Sequence, residues 1–118
     1  MSACATTAGQ TGLMGKEWVV EDIAGRGVID GSRLSLTFSS DGQLSGNTSC
    51  NRMFGPYSLS GPKLTISNAG LTKMACAPAL MDQERRFVDV LNAVQSYRIN
   101  PTGALVLTSQ TGSALTAR

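Results

Sequence analysis

The sequence predicts a mainly β domain (α+β): a small curled antiparallel sheet or open barrel of about seven or eight short strands, with one amphipathic helix packed across it. Three observations lead there. Apolar residues alternate at period two through several short segments, turn residues separate those segments at hairpin length, and one segment alone switches to the helical period. A parallel α/β architecture would need repeated crossover helices, so curling an antiparallel sheet under a single helix is the economical way to bury both apolar faces. The 118 residues suit one domain, and 42% apolar with 15% charged content excludes a disordered chain.

Residues 1–15 read as a flexible N-terminal tether, because they are small and polar after Cys4 and carry no periodicity. Met1-Ser2-Ala3-Cys4 resembles the end of a bacterial lipoprotein signal, which makes Cys4 the candidate lipidation site. The alternative is a cytosolic start with an incidental Cys4. The folded domain is expected over 16–118. Glu17 to Ile23 is β-prone, with Trp18 and Val20 on one side, and Gly25, Gly27 and Asp30-Gly31 mark a loop. Leu34, Leu36 and Phe38 share a face of the next strand, Asp41-Gly42 turns a hairpin, and its partner runs over 43–48. Gly46 within that partner predicts a bulge or a close backbone approach. Gly55-Pro56 reads as a corner, 57–59 and 63–66 as a second hairpin, and 71–76 as extended.

The period then changes. Pro78 suits a first helical turn, and Leu80, Phe87, Leu91 and Val94 recur at three- and four-residue steps, predicting a helix over 78–93. Arg85, Arg86, Asp89 and Asn92 fall on its other side. Strands over 96–99, 104–108 and 113–117 close the chain, with turns at 101–103 and 111–112.

Composition narrows the chemistry. The chain has no histidine, which removes Ser-His-Asp and Cys-His nucleophilic systems and the usual zinc sites. No phosphate-binding glycine cluster is present, and ten scattered basic residues with a net charge of +2 make no stripe for nucleic acid. Neither a cofactor nor a metal is expected, and no run approaches the ~18 apolar residues of a membrane-spanning helix.

Ser45-Gly46, Ser49-Cys50-Asn51-Arg52, Gly55 and Tyr57 form a motif, followed by Leu64-Thr65-Ile66 and Thr72-Lys73-Met74-Ala75-Cys76. Met81, Glu84, Phe87 and Leu91 continue it, with Trp18 before it and Tyr97-Arg98-Ile99 and Leu105-Val106-Leu107 after it. This pattern resembles the META domain (HslJ-like) family over about residues 16–117. The resemblance implies a compact β structure with one helix, no established catalytic activity, and a bacterial envelope setting linked to heat shock, stress and drug tolerance. Ser49 departs from the family pattern, which has glycine before the cysteine, and this argues against a positive φ there.

Cys50 and Cys76 could form a structural disulfide, remain as buried free thiols, or act as a redox pair. Glu84 lies on the helix's apolar stripe, so it must be paired, protonated or at the stripe's edge. It would serve either as an acid in a ligand pocket or as an acceptor for strand N–H groups, Arg52 or Asn51. Asn51, Arg52 and Tyr57 could line a groove with it. The function expected is a non-enzymatic, monomeric lipoprotein domain on the periplasmic side, binding an envelope protein or a small apolar ligand. The alternative is a thiol-dependent enzyme or redox sensor using Cys50.

Overall fold

The computed structural model describes residues 12–67, 69–110, 112 and 114–118, so Cys4 and most of the expected tether lie outside the described residues. The elements are β1 (Glu17–Ile23), β2 (Arg26–Gly27), β3 (Ser35–Phe38), β4 (Gln43–Asn47), β5 (Arg52–Ser60), β6 (Lys63–Ile66), β7 (Gly70–Leu71), helix α1 (Pro78–Ala93), β8 (Val94–Ile99), β9 (Leu105–Ser109) and β10 (Ala114–Ala117). Eight strands form an antiparallel ring in the order β1-β3-β4-β5-β6-β8-β9-β10. β10 returns to β1, with Ala117 opposite Val20 and Leu115 opposite Ile23. The barrel is therefore closed rather than open, which leaves its long strands no free edge. The short β2 and β7 pair with the outer ends of β1 and β5.

Alternation decides which side chains go inside. Trp18 and Val20 of β1, Leu36 and Phe38 of β3, Met53 and Tyr57 of β5, and Leu105 and Leu107 of β9 are all buried. Each large side chain removed from water in this way contributes about 1.5–3 kcal/mol. Trp18 is 1% exposed and Phe38 and Phe87 are fully buried, so the aromatic residues that an internal ligand cavity would use are packed into the core. Gly46 is a close approach and not a bulge. It pairs in register with Leu36, and a Cβ there would meet the Ser35 carbonyl oxygen at 2.5 Å.

The structure moves several sequence boundaries. Leu13, expected in the tether, is fully buried, and its carbonyl accepts the Trp18 indole N–H at 2.9 Å. One apolar side chain in a polar run has no periodicity to announce it. β5 runs unbroken through Gly55-Pro56, where a corner was expected. Proline is tolerated because the strand changes neighbours there: Pro56 is opposite Gln43 of β4, whereas Tyr57 is opposite Ile66 of β6. Of the segment expected to be extended over 71–76, only Leu71 is in a strand, paired with β5.

The helix has the expected bounds, with Pro78 in its first turn. Its buried residues are Gln83, Phe87, Val90 and Leu91. Leu80 is only partly buried, and Val94 opens β8 without an intervening loop.

Tyr57 belongs to the core. Its ring meets Phe38 edge-on at 5.0 Å, and its hydroxyl donates to the Ser39 carbonyl. Burial, helped by the negative charge of Asp41, raises its pKa above the ordinary 10.0. The folded chain thus keeps this proton at a pH where the unfolded chain has lost it, so stability falls as pH rises from about 10 through the folded-state pKa. Denaturant unfolding of Tyr57→Phe should show a flatter loss of stability above about pH 10 than the parent. The same variant should be less stable by about 1 kcal/mol near neutrality, where the lost hydrogen bond is the main effect.

Candidate functional site

Thr48, Cys50, Asn51, Thr72, Cys76 and Glu84 meet where the turn between β4 and β5 faces the start of α1. Within this turn the Asn47 side-chain oxygen accepts the Ser49 N–H at 2.7 Å, and Ser49 adopts φ +72°. The positive φ that serine argued against is therefore present. The Thr48 hydroxyl accepts the Asn51 N–H at 2.8 Å and donates to Glu84 Oε1 at 2.6 Å.

Asn51 joins three segments. Its Nδ2 donates to Glu84 Oε1 at 2.9 Å and to the Met74 carbonyl at 3.3 Å. Its Oδ1 accepts the Met74 N–H at 2.7 Å and the Thr72 hydroxyl at 3.0 Å. Beside it, Cys50 and Cys76 are joined in a disulfide, with their Cα atoms 6.0 Å apart. The β4–β5 turn, the 72–76 connection and the helix thus meet in one cross-linked polar knot.

Of the partners considered for Glu84, Asn51 is the one it meets, together with Thr48. Arg52 does not reach it. The Arg52 side chain is exposed, and its guanidinium makes no hydrogen bond or ion pair among the described residues. Tyr57 lies apart, in the barrel core against Phe38. Sequence reasoning missed Gln83, a fully buried residue. Its Oε1 accepts the Ile29 N–H at 2.8 Å and its Nε2 donates to the Ser32 hydroxyl at 3.3 Å. Its position four residues before Phe87, on the buried face, was the available signal. Gln83 and Glu84 tie the helix to two different loops of the barrel mouth.

Outside the knot, a groove of about 420 Å³ crosses the outer face of β1, β3, β4 and β5. A smaller hollow of about 280 Å³ reaches from the disulfide to Met74. Asn47, Arg52 and Thr72 line both, so the two adjoin. Among the described residues no three His, Cys, Asp or Glu side chains gather as metal ligands.

Residues 11–118 match the model of the META domain. The chain belongs to the META domain family. The fold is shared with a protein from Burkholderia xenovorans solved by NMR, at 28% identity and TM-score 0.72, covering 95% of this chain and 86% of that one. A second NMR structure shows 25% identity and TM-score 0.70, over 89% of this chain and 90% of the other. A DUF4847 family protein from Bacteroides vulgatus, at 16% identity and TM-score 0.66, shares the fold over 89% of this chain and 92% of its own. No curated protein matches the chain significantly.

Position 49 now has a physical reading within the META family. A left-handed conformation costs a residue with a Cβ about 1–2 kcal/mol, of which glycine's greater unfolded-state freedom offsets about 0.5–1 kcal/mol. Ser49→Gly should therefore stabilise the domain by about 0.5–1 kcal/mol, seen as a higher denaturant midpoint at unchanged slope. A double-mutant cycle of Asn51→Ala and Glu84→Ala should give a coupling of about 1–2 kcal/mol, since one charge-assisted hydrogen bond joins them directly.

Proposed function

We propose that this META domain is a non-enzymatic, envelope-associated binding module that works as a monomer. In this reading it is held on the periplasmic side by a lipid at Cys4 and meets its partner through the outer groove beside the disulfide.

The observation that carries the reading is a contrast between two polar sets. Thr48, Asn51, Thr72 and Glu84 satisfy one another, and the sulfurs of Cys50 and Cys76 are bonded together. These groups are engaged in holding the fold, and a general base or nucleophile must instead face its substrate. The alternative of a thiol enzyme needs Cys50 as a free thiolate, and the bond to Cys76 occupies its sulfur. The side chains of Ser35, Thr37, Ser45 and Arg52, by contrast, line the groove and have no hydrogen-bond partner among the described residues.

Further points support the reading. Disulfides persist in the periplasm and are rare in the reducing cytosol. No helix among the described residues is long and apolar enough to cross a membrane, and in this reading the lipid at Cys4 makes the attachment. The filled core argues against a small apolar ligand inside the barrel, which directs binding to the outer face. A role in envelope stress or drug tolerance, carried from the family resemblance, is consistent with such a module.

Photo-crosslinking side chains placed at Ser45 and at Asp89 of the full-length protein in living cells test this. Adducts should form from Ser45 and not from Asp89, on the helix's exposed side, and Cys4→Ser should release the protein from the membrane fraction. Equal crosslinking from both positions, or membrane retention without Cys4, would overturn the reading.

A further inference from the structure

We propose that the outer groove binds a linear oligosaccharide. The inference rests on the groove being the binding face, and it adds the chemical class of the ligand.

Strand register sets the groove's side chains in rows. Glu17 is opposite Thr37, Thr37 opposite Ser45, Ser45 opposite Phe54, and Phe54 opposite Gly70. The neighbouring row runs from Ser35 through Asn47 to Arg52. With strands ~4.8 Å apart, the first row spans ~14 Å from Glu17 to Phe54, room for about three pyranose rings end to end.

The lining chemistry selects among ligands. The Thr37 and Ser45 hydroxyls and the Asn47 amide can each donate and accept, so a polyhydroxylated ligand can satisfy them. An apolar ligand would bury them unpaired, at about 1–3 kcal/mol apiece. A polyanion would find one open cation, Arg52, and would approach Glu17, which is already paired with Arg33 at 2.9 Å. A volume of about 420 Å³ matches a small-molecule or oligomer subsite rather than a protein footprint.

Phe54 supplies the remaining feature that saccharide recognition needs. It is 54% exposed although it sits in a paired strand. Gly70 backs the ring so closely that a Cβ there would lie 3.3 Å from Phe54 Cε2. The ring therefore rests against Gly70 while over half of the residue stays exposed, and a sugar's C–H face can stack on it.

The test is an NMR titration of the full chain, isotope-labelled, with hexasaccharides of β-1,4-linked N-acetylglucosamine and of α-1,4-linked glucose. One arm stands for cell-wall glycan and the other for storage or capsular glucan. The expected result is saturable shifts at residues 35–37, 45–47 and 52–54 with at least one arm. Phe54→Ala should weaken binding at least about tenfold, the loss expected when an aromatic anchor is removed. Ser45→Arg, which fills the groove from an exposed position without touching the core, should abolish binding while the remaining spectrum stays that of the folded domain. No shifts with either saccharide up to about 10 mM, where even feeble affinity would register, would overturn the inference. Shifts outside the groove, or shifts indifferent to both variants, would also overturn it. Crosslinking from Ser45 to a protein with no saccharide response would leave the binding-face reading standing and remove the saccharide.

Discussion

The structure depends on holding one helix across the mouth of a closed barrel when the helix's own apolar face is too short to do so alone. Phe87, Val90 and Leu91 anchor its second half, whereas its first two turns bury no large apolar side chain completely. The start of the helix is also weak by local rules. Ala77 at the N-cap makes no side-chain hydrogen bond, and no acidic residue occupies the first turn. The missing restraint comes from outside the helix. Cys50–Cys76 fixes the chain just before Pro78, Gln83 holds one loop of the mouth, and Glu84 holds another. For a cross-link spanning 26 residues the chain-entropy estimate is about 3–4 kcal/mol, a large part of the ~5–15 kcal/mol net stability of an ordinary domain.

Much of this was legible in the residues, for a definite reason. Period-two alternation states which face of a strand is buried, so β1 and β3 and their inward residues follow from local pattern. Helix bounds followed from Pro78 and a change of period. Glu84 on the apolar stripe had to find a partner, and Asn51 was among the few polar groups that the motif offered. Long-range pairing carries no such local mark. Closing β10 onto β1 joins the two ends of the domain, and nothing near Ala117 names Val20 as its neighbour. The same limit hid Leu13, which is buried with its carbonyl bonded to the Trp18 indole, and it hid the change of partners that lets Pro56 sit within β5. Ser49 misled for the opposite reason. Its side chain suggests an ordinary φ, but the Asn47 side chain and the disulfide beside it over-determine the turn.

Structure and recognition divide along the same strands. Inward residues fill the barrel until no internal site is needed to explain them. The polar residues of the β4–β5 turn are saturated in the knot with the helix. The outer face of the same β3–β4–β5 segment stays open, where small side chains and Gly46 and Gly70 keep the surface low around the raised ring of Phe54. Because the knot closes one end of those strands, it also fixes the position of Arg52 and Thr72 at the groove's edge. Rigidity of the groove is thus a consequence of how the helix is tied down.

Native-state hydrogen exchange on a Cys50→Ser, Cys76→Ser double variant tests this dependence most directly. In the parent, amides of α1 and of the β8–β9 ladder should open with similar free energies, as parts of one cooperative unit. In the variant, helix amides over 82–93 should exchange well before those of β8 and β9, which reveals a helix that lifts off an intact barrel. Equal loss of protection in helix and barrel would contradict the account, because the bond would then stabilise the chain only globally and would not hold the helix to the sheet.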